Sequence, residues 1–286
     1  MRDAMADQRT APVTPAEINT WREHIGRQEI RRQRLDVESL RRFAAAQGAS
    51  LAVEDEVPPL GHWAYFLDTV GPGTIGPDGH PRRGGLLPPV RLPRRMFAAA
   101  SMTFVAPLKL DAPAELSITV ADVRHRAGKA GDLVFVEVDR RLSQEGAERL
   151  TERQTIVYRG LGDPAPSVGL IDPPPRRDAI VWAPGPVDLF RFSAVTFNAH
   201  RIHYDLPYAT GEEGYPGLVV HGPFTAAKLF ALARTRAGRP VRRFEFRAVA
   251  PLFAGQPIYL TAGEAEGEMR AIRCDGAVAM TAKAGV

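Results

Sequence analysis

The sequence predicts an α+β fold built twice over, each unit an antiparallel sheet wrapped around one helix. Three observations predict it. First, β-rich runs follow one another without intervening helices, at 96–107, 114–124, 133–142 and 153–160, and again at 242–250, 257–264, 269–274 and 276–282. A meander of strands behind a helix belongs to a segregated α+β layer rather than to alternating β/α units. Second, the chain overlays on itself. RFAAAQGASLAVEDE (42–56) over RFSAVTFNAHRIHYD (191–205), offset by 149, shares Arg-Phe-x-Ala. FVAPLKLDAPAELSITV (104–120) over AVAPLFAGQPIYLTAGE (248–264), offset by 144, shares Ala-Pro-Leu and sets Leu116 on Leu260. Two matches in the same order, near half the chain length, indicate a duplicated unit. Third, GDPAPSVGLIDPPPRR (162–177) lies just past the midpoint. So many prolines can continue neither a helix nor a central strand, so the stretch is expected to be a linker.

The elements follow in order. Residues 1–14 are expected to be a disordered tail, 15–161 the first unit and 178–286 the second. Thr14-Pro15-Ala16-Glu17 is a capping box with proline at the first helical position, so a helix is expected from Pro15 to about His24. Ile25 to Leu35 suits an edge strand, and Asp36 can cap a helix through Gln47, closed by Gly48. Pro-Pro-Leu-Gly-His-Trp-Ala-Tyr-Phe-Leu (58–67) is expected to start the helix that the first sheet wraps, starting near Pro59. Gly71 to Pro93 is a breaker-rich surface loop. Its Gly71-Pro-Gly73-Thr-Ile-Gly76 matches GxGxxG, but no strand precedes it and no helix follows, so it is not a phosphate loop. The second unit repeats the plan with a strand at 178–182, a helix at 187–196 and an apolar helix at 218–236.

Composition narrows the function classes. With 286 residues, 44% hydrophobic and 24% charged, the chain is an ordinary globular protein, not a disordered, collagenous or coiled-coil one. Lys+Arg exceed Asp+Glu by 37 to 33, a mild excess that suits an anionic small molecule better than a nucleic acid. The single cysteine, Cys274, excludes a disulfide framework and a cysteine-based zinc site. No apolar run reaches the ~18 residues of a membrane span. Residues 1–13 lack the apolar stretch of a signal peptide, so a soluble, cytoplasmic protein is expected.

The chemistry concentrates in FNAHRIHYDLPYA and GLVVHGPF, where His200, His203 and His221 fall within 22 residues of one another, with Asn198, Asp205 and Gly222 among them. His221-Gly222 follows an apolar run and opens the second central helix. Free N–H groups at a helix start can bind a developing oxyanion, and glycine lets a ligand come close. A metal on His200-x-x-His203-x-Asp205 is the competing reading; the segment has no zinc motif, and neither metal nor cofactor is expected. At the offset of 149, Asn198, His200 and His203 fall on Ala49, Leu51 and Glu54, so only the second unit keeps groups for this chemistry.

HYDLPYA followed by GYPGLVVHGPFTA resembles the active-site region of the MaoC-like double-hotdog hydratases and dehydratases. The FNxHRIHYD variant is similar to the branch acting on mesaconyl-C4-CoA (3-methylfumaryl-CoA) and itaconyl-CoA. Pro59-Leu60-Gly61-His62-Trp63 and Leu92-Pro93-Arg94-Arg95-Met96 resemble that branch's first, degenerate unit. The resemblance implies a double hotdog over about residues 20–284 and a hydro-lyase acting on an enoyl-CoA. Residue by residue, His203 matches the family's catalytic histidine and Gly222 the glycine whose N–H polarises the thioester carbonyl. Asn198 stands where the family has its catalytic aspartate; an amide can orient water but cannot take its proton. His203 is then expected to act as the base, with His200 or Asp205 setting its tautomer or serving as acid. Arg201, tied to the histidines, is the expected deep cation for a dicarboxylic acyl chain. Asp205, Tyr208, His221, Arg94 and Arg95 are the other expected substrate contacts. A homodimer paired through sheet edges is expected. An acyl-CoA thioesterase and a non-catalytic acyl-CoA-binding subunit are the rival readings.

Overall fold

The computed structural model describes residues 11–49, 55–128, 131–162, 165, 167–170 and 177–286. Most of the expected tail and linker, and Leu51 and Glu54 of the internal overlay, lie outside the described residues.

Ten strands among the described residues form one antiparallel sheet: β1 (Gln28–Arg34), β2 (Arg94–Phe104), β3 (Pro113–Gly128), β4 (Gly131–Gln144), β5 (Ala147–Arg159), β6 (Ile180–Trp182), β7 (Arg243–Ala248), β8 (Ile258–Ala262), β9 (Glu268–Ile272) and β10 (Val278–Gly285). The order is β1-β3-β4-β5-β2-β7-β10-β9-β8-β6. Read from its two ends, the sheet gives the same sequence of strands, β1 to β5 answering β6 to β10. Two units meet at the β2–β7 seam, paired from Ala99↔Arg247 to Thr103↔Arg243. The fold is thus α+β, a double hotdog. In β3, Leu116, Ile118 and Val120 point into the core while Ser117 and Thr119 stay half-exposed, the period of two that fixes a strand's buried face.

Helices α1 (Pro15–Arg22), α2 (Val37–Ala46), α3 (Pro186–Val195), α4 (Leu206–Gly211) and α5 (Gly222–Ala237) cover and fill this sheet. The caps are those the sequence indicates. Thr14 and Glu17 exchange bonds at the start of α1, and Asp36 Oδ1 accepts from the Ser39 N–H at 2.8 Å at the start of α2. The overlay of 42–56 on 191–205 places α2 on α3, and the matched Phe43 and Phe192 touch one another with ring centroids 6.0 Å apart. Helix α5 is the buried centre of the second unit. Phe224, Leu229, Phe230 and Leu232 are all buried on it, each contributing roughly 1.5–3 kcal/mol. Gly238, at φ 65°, ends it in the left-handed cap that glycine tolerates.

The first unit departs from expectation. No helix starts at Pro59; a single 3-10 turn, Gly61–Ala64, stands there instead. The segment's bonding groups are drawn to tertiary partners. Phe66 N–H donates to Gln33 Oε1 at 2.7 Å, Tyr65 Oη to the Asp36 carbonyl at 2.7 Å, and Trp63 Nε1 to Glu152 Oε1 at 3.1 Å. Leu60 and Phe66 both sit at positive φ, which a helix cannot contain. Apolar composition without room for more than two turns is too little to nucleate a helix against these contacts.

Candidate active site

Helix α5 begins at the site. His221 is its N-cap and Gly222 its first residue, followed by Pro223, which has no N–H. The Gly222 N–H has no acceptor among the described residues. A Cβ on Gly222 would stand 3.3 Å from the Phe97 carbonyl, beside the bulge that breaks the β2–β5 register between Phe97 and Ala99. Strand β2 of the first unit thus forms one wall of the helix start.

The segment after α3 carries the histidines on a tight turn. Asn198 Oδ1 accepts from the His200 N–H at 3.0 Å, and the Asn198 N–H donates to the Ser193 carbonyl at 2.8 Å. The structure therefore places the Asn198 carbonyl on backbone, as a turn-forming group that aims the next five residues. A 3-10 turn, Arg201–His203, then buries the His203 ring.

Four imidazoles stand in file. His80 lies on His200 (centroids 4.0 Å), His200 meets His203 edge-on (5.3 Å, 88°), and His203 stacks on His221 (3.6 Å, 20°). His203 Nδ1 donates to the Val219 carbonyl at 2.7 Å. A carbonyl only accepts, so the proton sits on Nδ1 and Nε2 keeps its lone pair. That Nε2 has no partner among the described residues. Burial, then His221 and His200, hold the His203 pKa well below the ordinary 6.5. The ring is neutral at pH 7 and ready to accept a proton. His221 is fully buried, bonds Ser193 Oγ through Nε2 at 2.8 Å, and is pushed by burial to about 3. It backs His203 and is closed off from any substrate, contrary to the expected contact.

Three further expectations need correction. Arg201 is not deep: its side chain is 38% exposed, forks onto Asp205 Oδ2 at 2.9 and 2.7 Å, and covers the Tyr208 ring at 4.1 Å. The four-residue spacing of the two charges accounts for the pair. Asp205 is consequently occupied, with Oδ1 capping α4 through the Tyr208 N–H at 3.1 Å. It does not reach His203, whose tautomer is set by the Val219 carbonyl instead. Arg94 is buried, bonded to the Glu213 carbonyl, 3.7 Å from that residue's carboxylate, and over the Tyr215 ring at 4.9 Å. Its charge is neutralised inside the protein. Tyr208 is half-buried beside Glu213, its pKa raised by burial and by that carboxylate. His200 Nε2 lies 3.5 Å from Glu213 Oε1 on the same side. Arg95, half-buried, has no carboxylate partner among the described residues and acts electrostatically on His80.

The loop between Gly71 and Pro93 holds what sequence reasoning missed. Its middle is pressed onto the histidine segment. The Arg201 N–H donates to the Asp78 carbonyl at 2.9 Å, and a Cβ on Gly79 would fall 1.8 Å from the Ala199 carbonyl oxygen. Gly79, at φ +89°, is there because no side chain fits. His80 Nδ1 is 3.3 Å from Asp78 Oδ2. The first unit therefore supplies residues to the second unit's site. The one sequence signal was a histidine beside an Asp-Gly step in an otherwise featureless loop.

The arrangement defines a class. A buried neutral base beside an unpartnered helix-start N–H, on a double hotdog, is the equipment of a thioester hydratase or dehydratase. Residues 60–254 match the hydroxyacyl-thioester dehydratase type 2 family, and the chain belongs to it. It is 45% identical to the mesaconyl-C(4)-CoA hydratase of Chloroflexus aurantiacus over 239 residues, 80% of this chain and 83% of that one. Among solved structures it resembles a MaoC-like dehydratase from Phytophthora capsici, with TM-score 0.64 at 13% identity, covering 94% of this chain and 97% of that one. It also resembles a Mycobacterium tuberculosis protein described as a double hotdog fold, with TM-score 0.51 at 12% identity, covering 91% and 95%.

Proposed function

We propose that this chain adds water reversibly across the C=C of an enoyl-CoA thioester. The substrate is a branched C5 dicarboxylyl-CoA, mesaconyl-C4-CoA first and itaconyl-CoA second, with citramalyl-CoA as product. One observation carries the reading: His203 offers a bare Nε2 on a ring fixed by the Val219 carbonyl, near the free Gly222 N–H. The thioester oxygen accepts from Gly222. Water bonds to Cβ as His203 takes its proton, the π pair moves to the thioester as an enolate, and His203 returns the proton to Cα. Donors aimed at such an oxyanion are worth about 3–4 kcal/mol in other enzymes. This chemistry uses acid–base groups alone and calls for no cofactor. The identity to a mesaconyl-C(4)-CoA hydratase supports the acyl chain. Arg95, rather than Arg201, is the cation for the free carboxylate, because Arg201 is taken by Asp205.

The unpaired faces of edge strands β1 and β6, with Ile30, Ile180 and Val181 exposed, support a homodimer, and light scattering in solution tests it. Among the described residues no helix is long and apolar enough to cross a membrane.

The functional test is a panel of enoyl-CoAs followed by enoyl absorbance and free thiol in parallel. Loss of absorbance without thiol, greatest for mesaconyl-C4-CoA, is expected. Thiol release would make the protein a thioesterase, and binding without turnover a non-catalytic subunit. Arg95→Met should raise KM for the dicarboxylyl substrate and leave crotonyl-CoA unchanged.

A further inference from the structure

The site has one base where its chemistry calls for two groups that hold water. The position expected to supply the second, Asn198, turns its only side-chain acceptor to the His200 N–H. Asp205 is held by Arg201 and the start of α4, and Glu213 by Arg94 and His200. None of these carboxylates is free to serve. The loop of the first unit brings in a group that is. His80 is stacked on His200 at 4.0 Å, one ring along the file from His203.

We propose that His80, delivered by the first unit, is the second water-holding residue of this site; the inference rests on the hydration reading above. Its ring is prepared as His203 is. Asp78 Oδ2 lies 3.3 Å from His80 Nδ1, and an ionised carboxylate can only accept, so Nδ1 carries the proton and Nε2 the lone pair. Neither His80 Nε2 nor His203 Nε2 has a partner among the described residues. The His80 side chain is 19% exposed, so the ring is not sealed within the protein. Burial, and then the neighbouring His200, hold its pKa near 3, which keeps it an acceptor at neutral pH.

In hydration the two bare nitrogens accept from the two O–H groups of one water. The oxygen bonds to Cβ, the π pair moves onto the thioester, and the proton passes to His203 and then to Cα. His80 holds the other hydrogen, which stays on the product hydroxyl, and ends the cycle unchanged. Atoms and protons balance with water as the only co-reactant. Asp78 acts through His80, as a positioning residue. The role also accounts for Gly79, whose missing Cβ lets the loop lie on the Ala199 carbonyl and bring the ring in.

The test compares the wild type, His80→Gln, His80→Ala and Asp78→Asn as full-length proteins, with kcat, KM and melting temperature for mesaconyl-C4-CoA. His80→Ala should lose about 10²-fold in kcat with KM within a few-fold and melting temperature unmoved, and His80→Gln, whose amide oxygen can still accept from water, should lose less. Added imidazole should restore part of the His80→Ala rate, since it can occupy the space the ring leaves. Asp78→Asn should lose less, about 10-fold, again in kcat. A His80→Ala rate within three-fold of wild type overturns the proposal and leaves the hydratase reading standing. Rate loss that tracks a lower melting temperature and resists imidazole also overturns it, by making His80 structural. A wild type inactive on every enoyl-CoA fails the hydratase reading itself, and this proposal with it.

Discussion

Gly79→Ala probes the contact between the two units at the point where the site depends on it. The added Cβ would lie 1.8 Å from the Ala199 carbonyl oxygen and 3.2 Å from the His200 Cα, both backbone atoms that cannot rotate away. Relief requires the loop to retreat by more than an ångström. The residue's φ of +89° adds strain of about 1–2 kcal/mol for any L side chain. Retreat also weakens the 2.9 Å bond from the Arg201 N–H to the Asp78 carbonyl, worth about 1 kcal/mol. Together these predict a loss of about 2–3 kcal/mol, or roughly 4–10 °C in melting temperature for a domain of this size. Urea unfolding measures the first figure and calorimetry the second. Hydration should fall in kcat more than in KM, because the His80–His200 stack is what moves apart. Stability within 0.5 kcal/mol of wild type (about the scatter of neutral surface changes) together with full activity would refute the packing argument.

Other outcomes follow from the same geometry. Acid stability carries the sign of the buried neutral histidines. His80 and His221 have folded pKa values near 3 against 6.5, so their contribution is full above pH 6.5 and is lost as pH falls toward 3. Unfolding free energies from urea titrations should therefore drop by about 1 kcal/mol per histidine between pH 7 and pH 5.5, and His221→Asn should flatten the slope; a level profile would contradict the assignment. Glu152, fully buried among His62, Trp63 and Arg140, has its pKa lowered to about 2 chiefly by its bond to His62, despite the opposing pull of burial. Glu152→Gln should cost about 3–5 kcal/mol in urea unfolding by leaving Arg140 unpaired, with kcat of the folded protein unchanged.

Local signals that carry their own bonds were legible. The box at Thr14 and Glu17, the Asp36 cap and the terminating Gly48, at φ 68°, are settled within a few residues, and each stands where the sequence indicates. The β-rich runs at 114–124 and 133–142 were equally direct, and β3 and β4 stand there with one face buried. The run 58–67 was not, because its fate is decided by Gln33, Asp36 and Glu152, which reach it from β1, the α2 cap and β5. In the site, His203 and Gly222 could be singled out because each lies in a recognisable stretch, FNAHRIHYD and GLVVHGPF, whereas His80 could not. Nothing in a loop's sequence says which surface it presses against, and the only clue was the histidine beside an Asp-Gly step. Arg201 was misplaced for an avoidable reason. Its four-residue spacing to Asp205 already announced an ion pair, and a cation so paired has little left to offer a substrate.

The central claim is that His203 is the base in a thioester hydration, and one side-by-side measurement tests it. Wild type and His203→Gln are each given mesaconyl-C4-CoA in H₂¹⁸O, with mass spectrometry of the product and a parallel thiol assay. The wild type should place one solvent oxygen in the β-hydroxyl and release no thiol, while His203→Gln, folded to the same melting temperature, loses about 10²–10⁴-fold in rate. Solvent oxygen recovered in a free carboxylate with thiol release, or a His203→Gln rate within a few-fold of wild type, would contradict it.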